Sequence, residues 1–380
     1  MAKPLKIGLV IDTSLDTAEG VPQYVLAVGS WLTRQGHAVS YLAGETKRRD
    51  LPNLYSLARN MAVRFNGTAT TIPLPASKRR LRRFMNMHEF DVLHVQTPHH
   101  PLLAQPLMLA AKRQTAVVAT FHSLPYGILS RWACRLLRYW LRPSLKRVDQ
   151  MLAVSSAAAR FEEWAFGLPA KVSPNMFDYR RFHDAKPFAE YWDTPTIVFL
   201  GRLEPRKGCL TLLQAAAQLR QRTNMPDFRI VVCGKGYLQP KLEQFCREHD
   251  LAETVEFKGF VTEEDKPRYL ASADLAVFPS SGGEAFGIVL LEAMASGHAA
   301  VLAGDNPGYR SVMEKRPELI FDASKPGELA DLLEYYLNDN VARQAAAAWG
   351  AKESRQYDSD IVGQQLLESY HQALLKRDNL

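Results

Sequence analysis

Two glutamates, Glu284 and Glu292, stand eight positions apart between Ser280 and Gly297. The first lies in the glycine-rich run Ser281-Gly282-Gly283-Glu284-Ala285-Phe286-Gly287, the second in an apolar segment with helical composition. A glycine-rich turn lets backbone N–H groups approach a phosphate, and a helix start favours negative charge. Carboxylates accept hydrogen bonds from hydroxyls, so a phosphorylated sugar or a nucleotide ribose is the ligand this arrangement suits. A second run, Gly201-Arg202-Leu203-Glu204-Pro205-Arg206-Lys207-Gly208, follows the strand-like Ile197–Leu200 and precedes the helical Leu210–Leu219. Open α/β sheets bind ligands at the carboxyl ends of their strands. Arg202 and Lys207 there could neutralise a departing diphosphate, so that no metal ion is required. Taken alone, the same run is a solvated basic turn.

The turn Gly234-Lys235-Gly236 also follows an apolar strand. Gln239 stands where a dinucleotide fingerprint needs its third glycine, which disfavours a bound nicotinamide. Lining a nucleotide pocket and forming a bare structural turn both remain open for Gly234 and Lys235. Thr120-Phe121-His122 closes a strand at the ligand-binding edge, where a histidine can hydrogen-bond a sugar or steer a hydroxyl near neutral pH. His94, His99 and His100 look metal-like on paper, but no carboxylate sits among them, and no metal site or cofactor is expected. Cys134, Cys209, Cys233 and Cys246 lack metal-ligand spacing and suit reduced apolar positions.

These residues need two scaffolds. A chain of 380 residues is long for one domain. Strand-like runs at Lys6–Ile11, Ala38–Leu42, Val92–Val95, Ala116–Thr120 and Met151–Val154 alternate with helical segments. The pattern restarts at Thr196–Leu200 and continues at Arg229–Cys233, Val255–Phe257, Leu275–Phe278 and Ala300–Leu302. Short apolar strands between helices predict parallel, doubly wound α/β sheets. The expected domains are 1–182 and 183–355, with Phe177–Pro195 as linker and the helix 356–380 packing back on the first. No run of roughly 20 apolar residues predicts a spanning helix, and the start reads as a first strand rather than a signal peptide.

Charge is divided unevenly. Residues 1–186 hold 26 Lys/Arg against 12 Asp/Glu, and the remainder 21 against 28. An anionic partner for the first half is implied. Arg131, Arg135, Arg138 and Arg142 recur among Trp132, Leu136, Leu137, Tyr139, Trp140 and Leu141, the spacing of an interfacial helix. Lys78-Arg79-Arg80-Leu81-Arg82-Arg83-Phe84 is a second basic segment. Segments 78–84 and 131–147 therefore predict reversible docking to an anionic membrane. The bland alternative is a basic surface helix packed on the sheet. No recognised nucleic-acid motif accompanies the charge, and nucleic acid is not expected as a partner.

The runs 201–208 and 279–297 and the Thr-Phe-His context of His122 resemble family-4 retaining glycosyltransferases. Within that family the chain is most similar to the phosphatidylinositol mannosyltransferases, nearly end to end. The resemblance implies the GT-B fold, two doubly wound Rossmann-like domains facing across a cleft. It implies that Arg202 and Lys207 hold the donor diphosphate, that Glu284 contacts the donor sugar, and that Glu292 contacts the ribose. Amides around Phe286, Gly287 and Ile288 would touch sugar or phosphate. Gly20 and Val261 complete the implied nucleotide-binding set, and His122 would be catalytic together with Arg202, Lys207 and Glu284. The chain departs from the family's Gly-Gly turn at Glu19, has Pro22 and Pro98-His99 where the family differs, and follows Asn66-Gly67-Thr68 with Thr71, Ile72 and Pro73.

The expected function is transfer of a hexose, mannose from GDP-mannose, to a membrane lipid such as phosphatidyl-myo-inositol. Lacking a well-placed carboxylate nucleophile in the first half, front-face attack is the expected course, with the leaving phosphate taking the acceptor proton. The enzyme would be cytoplasmic, peripheral to the inner face of the cell membrane. Two readings share the donor motifs: a UDP-hexose enzyme acting on diacylglycerol, polysaccharide or another soluble acceptor, and a UDP-sugar 2-epimerase of the same fold.

Overall fold

The computed structural model describes residues 3–17, 20–65, 68–125, 127–223 and 225–379. Its strands, in chain order, are β1 Lys6–Ile11, β2 Ala38–Ala43, β3 Leu54–Ser56, β4 Asn60–Phe65, β5 Thr68–Pro73, β6 Val92–Gln96, β7 Ala116–Phe121, β8 Gln150–Ala153 and β9 Lys171–Val172. They continue as β10 Thr196–Leu200, β11 Arg229–Cys233, β12 Val255–Gly259, β13 Leu275–Phe278, β14 Ala300–Gly304 and β15 Ile320–Phe321. The chain forms two compact units, residues 1–177 with 359–380, and residues 178–358.

In the first unit a parallel seven-stranded sheet runs β3-β2-β1-β6-β7-β8-β9. The strand order reverses between β1 and β6, so the loops after Ile11 and Gln96 open at a topological switch point. β4 and β5 form a separate antiparallel hairpin. Continuous apolar stretches such as Ile7, Leu9, Val10 and Ile11 are buried because helices cover both faces. One helical layer carries Lys78–Met87, Ala104–Ala110, Ile128–Leu145 and Ser156–Phe166, each touching the next. The helix Gly20–Arg34 packs instead on the C-terminal helix Ser359–Asp378. That docking is tight: a Cβ on Gly363 would come within 2.4 Å of Trp31 Cε2. Trp31 Nε1 donates to Asp360 Oδ1 at 2.9 Å, and Tyr370 reaches His94 Nδ1 at 2.8 Å. The last helix is therefore part of the first unit's core.

The second unit has a parallel six-stranded sheet, β12-β11-β10-β13-β14-β15, reversing between β10 and β13. Its switch point is flanked by the loops 201–208 and 279–287, the two runs richest in candidate chemistry. The division between units falls after Phe177 and after Asp358, rather than at 182 and 355. The reason is packing. The helix Tyr179–His183 lies on the helices Lys266–Ala271 and Ile288–Ala295, and buries Tyr179 and Phe182. The expected linker 177–195 is accordingly folded: after that helix, Tyr191 is buried and donates to Glu256 Oε2 at 3.0 Å. Among the described residues no helix is long and apolar enough to cross a membrane.

Candidate active site

In the second unit the two switch-point loops are bound to each other. Ser281 N donates to Arg206 O at 2.9 Å, and Ser280 Oγ lies 3.1 Å from the same carbonyl. Gly208 adopts φ 73°, and a Cβ on it would lie 2.0 Å from the Pro279 carbonyl oxygen. Only glycine fits this close crossing. Gly208→Ala is expected to lower the urea midpoint of the donor unit, since left-handed geometry alone costs roughly 1–2 kcal/mol for an L-residue. It should also weaken nucleoside diphosphate binding. An unchanged midpoint would show that the crossing relaxes freely. Asn306 braces the same loops from β14, its Nδ2 donating to Ser280 O at 3.0 Å while Oδ1 caps the helix Pro307–Met313.

This bracing converges on Glu284. Its Oε1 accepts from Lys207 Nζ at 2.7 Å, Arg206 NH1 at 2.8 Å and Ser280 Oγ at 2.9 Å. Burial favours the neutral acid, but Lys207 and Arg206 outweigh it and hold the carboxyl below its ordinary range. The ligand-free loop thus presents an ionised carboxylate with two cations already beside it. Arg202 turns toward Glu204, its NH1 3.3 Å from Glu204 Oε1. Arg206, absent from the sequence-based set, is the second cation on Glu284. Its only sequence signal was membership of the same basic run.

Glu292 lies on the helix Ile288–Ala295 and accepts from Lys266 Nζ at 2.8 Å. Burial would depress the Lys266 ammonium, yet Glu292 and Glu263 together raise it. Lys266 sits 26 positions from its partner, so spacing carried no hint of it. Phe286 is buried, and Gly287 caps this helix without a side-chain bond. The first-turn amides around Ile288 are left for an anion. Lys235 O accepts from Leu203 N at 3.0 Å and Gly234 N donates to Gly259 O at 2.7 Å, so the 234–236 turn borders the 201–208 loop. Val261 follows β12 and is half-buried. Cation, carboxylate and open helix start together match a sugar diphosphate.

In the first unit His122 follows β7, and its Nε2 lies 2.6 Å from Gln96 Oε1 at the end of β6. Tyr24 packs against the imidazole with ring centres 4.8 Å apart. Burial pushes His122 down to about 3, so it is neutral at ordinary pH. Neither Gln96 nor Tyr24 was singled out from the sequence. His94 is a core residue, with Nε2 2.7 Å from Thr120 Oγ1 and burial taking it to about 3. Asp12, after β1, accepts the Ala104 amide at 2.9 Å and lies 3.6 Å from His100 Nδ1. Burial raises this carboxyl well above its usual range and lowers His100 to about 4, so burial disfavours the charged form of both partners. Gly20 is the exposed first residue of its helix. Glu19, Asn66 and Gly67 lie outside the described residues.

The helix Ile128–Leu145 buries only Leu141, Ser144 and Leu145. Ile128, Leu129, Trp132, Leu136, Tyr139 and Trp140 are more than half exposed. The basic face is narrower than the sequence spacing suggests. Arg135 turns inward, donating to Trp164 O at 2.7 Å with its guanidinium 4.9 Å from that ring. Arg131, Arg138 and Arg142 stay exposed, and a second exposed basic surface lies on Lys78–Met87, where Lys78, Arg79, Arg80, Arg82 and Arg83 stand above buried Leu81, Phe84 and Met85.

The sequence model of the family described as Glycosyltransferase Family 4 matches residues 18–181, and that described as Glycosyl transferases group 1 matches 181–354. A phosphatidyl-myo-inositol mannosyltransferase of Mycobacterium tuberculosis is 32% identical over 380 residues, covering 96% of each chain. A GDP-mannose-dependent alpha-(1-6)-phosphatidylinositol monomannoside mannosyltransferase of the same species is 29% identical, covering 85% of this chain and 86% of that one. Among solved structures, Anabaena HepE in complex with UDP and glucose superposes with a TM-score of 0.72 at 18% identity, over 96% of this chain and 98% of that chain. Two sheets with switch-point loops, a cation–carboxylate cluster between those loops, and end-to-end likeness to these enzymes lead to one conclusion: the chain belongs to the family-4 glycosyltransferases, of the GT-B fold.

Proposed function

We propose that the protein is a retaining mannosyltransferase that moves mannose from GDP-mannose to phosphatidyl-myo-inositol at an anionic membrane surface. The observation that carries the reading is the Lys207–Glu284–Arg206 cluster beside the open helix start at Gly287. The donor diphosphate takes Lys207 and the Ile288 amides, while Arg202 shares the charge. Glu284, released from Lys207, accepts from donor-sugar hydroxyls, and Glu292 serves the ribose. Once Lys207 has turned from Glu284 to the diphosphate, cations and an oriented helix start stabilise the leaving group, which suits a metal-free departure. Asp12 is fully buried with one oxygen held by the Ala104 amide, which leaves it poorly placed to form a covalent adduct, so front-face attack is the course we favour, with the leaving phosphate taking the acceptor proton. His122 orients a substrate hydroxyl. The names of the relatives support mannose, GDP and the inositol lipid.

Exposed aromatics on 128–140 and cations on 78–83 supply the means of peripheral attachment, which we place at the inner face of the cell membrane. Transfer assays on vesicles of phosphatidylinositol, phosphatidylglycerol or diacylglycerol, with GDP-mannose or UDP-glucose, test the reading. Mannosyl phosphatidylinositol is the expected product, formed only from GDP-mannose. Transfer to diacylglycerol from UDP-glucose would replace both donor and acceptor, and conversion of a UDP-sugar without acceptor would make the enzyme an epimerase.

A further inference from the structure

The edge of the first sheet holds a contact that the family's motifs do not mention. Gln96 is fully buried, and its Oε1 lies 2.6 Å from His122 Nε2. So short a contact fits an N–H donating to oxygen rather than two nitrogens facing each other. An amide oxygen only accepts, so Nε2 must carry the imidazole proton. Nδ1 is then a bare lone pair. Tyr24 holds the ring plane from the helix Gly20–Arg34.

The backbone beside Gln96 points the same way. Thr97 has φ 54°, a left-handed conformation that is a genuine outlier for a β-branched residue. It is pinned by Thr97 N donating to Thr120 O at 3.1 Å and by Thr97 Oγ1 donating to Gln96 O at 2.6 Å. Strain of this kind persists where the surroundings over-determine it, and it collects at functional sites. Here it ends β6 abruptly and keeps the Gln96 side chain beside β7, in register with Thr120.

We infer that Gln96 is a positioning residue for glycosyl transfer: it locks His122 in the Nε2–H form so that Nδ1 accepts a hydrogen bond from a substrate hydroxyl. This rests on the transfer reading above and assigns the proton that reading leaves open. His122 works in it as a neutral acceptor, and it loses that capacity when Nδ1 is protonated. The titratable groups around the ring are Tyr24 from its helix, His94 on β6 and His99 from the turn after β6. Burial raises Tyr24 and lowers both histidines, which disfavours the charged form of all three across the ordinary pH range. Any titration seen in that range can then be followed to the His122–residue 96 pair.

Two variants and a spectrum test this on the full chain. Long-range proton–nitrogen correlation of histidine-labelled protein should show His122 protonated on Nε2, with the signals assigned by their loss in His122→Ala. Gln96→Leu removes the acceptor and should lower kcat roughly 10- to 100-fold while leaving KM for the nucleotide sugar within about twofold, since orientation rather than donor binding is lost. Gln96→Glu keeps the shape and the acceptor but adds a negative charge, which stabilises imidazolium. Its rate at pH 8 should stay near wild type, with activity falling between about pH 7 and 5 as Nδ1 is protonated, while the wild type has no such limb. The inference is overturned by a His122 protonated on Nδ1, by full kcat in Gln96→Leu, or by superimposable pH profiles for Gln96→Glu and wild type. Should Gln96→Leu fail to fold, the Gln96→Glu profile decides. Absence of transfer by the wild type would sink the mannosyltransferase reading instead, and the spectrum would still decide the proton.

Discussion

Lys207→Ala is expected to cut glycosyl transfer by about 10²–10³-fold, the usual effect of removing one fixed partner for charge that develops in the transition state. The structure gives the loss two sources. Lys207 Nζ lies 2.7 Å from Glu284 Oε1, and both side chains are less than one-fifth exposed. Removing the lysine takes a cation from the diphosphate. It also leaves Glu284 with Arg206 and Ser280 as its remaining partners in a poorly solvated loop. Donor affinity and kcat should therefore fall together. Arg206→Ala should be milder, because Lys207 still neutralises the carboxylate. Isothermal titration with nucleoside diphosphate, alongside initial rates, separates the two contributions. Transfer within about threefold of wild type in Lys207→Ala would remove this residue from the proposed chemistry. The pH sense is also set. Glu284 is held below its ordinary 4.5, so its ion pairs stabilise the donor unit fully above that value and are lost only as pH falls through the lowered one.

Neutralising Lys78, Arg79, Arg82 and Arg83 together with glutamine should weaken binding to anionic vesicles about 10³-fold. Each exposed cation near such a surface is worth roughly 1 kcal/mol, and about 1.4 kcal/mol is tenfold. All four are exposed, while Leu81, Phe84 and Met85 on the same helix hold it to the sheet layer, so folding should be spared. The helix Ile128–Leu145 contributes differently. With Arg135 turned onto Trp164, its outer surface sets exposed Trp132, Leu136, Tyr139 and Trp140 among Arg131, Arg138 and Arg142. Trp132→Ser with Leu136→Ser should weaken binding even to neutral vesicles, whereas the charge variant should show its defect on anionic ones and lose it at high salt. Vesicle sedimentation across salt concentrations reads both. Equal partition of the charge variant and wild type into anionic vesicles would mean that the basic helix is only a solvated face.

The candidate donor loops were legible because their residues are local in the chain. Gly201–Gly208 and Ser280–Gly297 each carry turn, cation or carboxylate and helix start within a few residues, and the strands before them are unbroken apolar runs. Four strands, β1, β10, β11 and β13, begin and end where the alternation of apolar and helical segments predicts. The elements that went unseen, β3, the β4–β5 hairpin, β9 and β15, are short or lie at the margins. There a few edge hydrogen bonds decide the structure, and the residues have no apolar run to announce them. Likewise Phe177–Pro195 has a linker's composition, but Phe182 and Tyr191 bury their rings in the second unit.

What the sequence determined by itself was the class of protein and where its candidate chemistry falls: paired doubly wound sheets, a proposed sugar-diphosphate site in the loops after β10 and β13, and an excess of positive charge in the first half. Patterns of apolar spacing and turn residues act over a handful of positions, so one chain records them. Tertiary structure alone decided who meets whom. Arg206 joins Lys207 on Glu284 across 78 positions, Lys266 neutralises Glu292 across 26, and Gln96 sets the proton of His122 across 26 more. Those partners are chosen by strand order and by burial, which brings distant side chains into a poorly solvated edge where each charge or lone pair must find a mate.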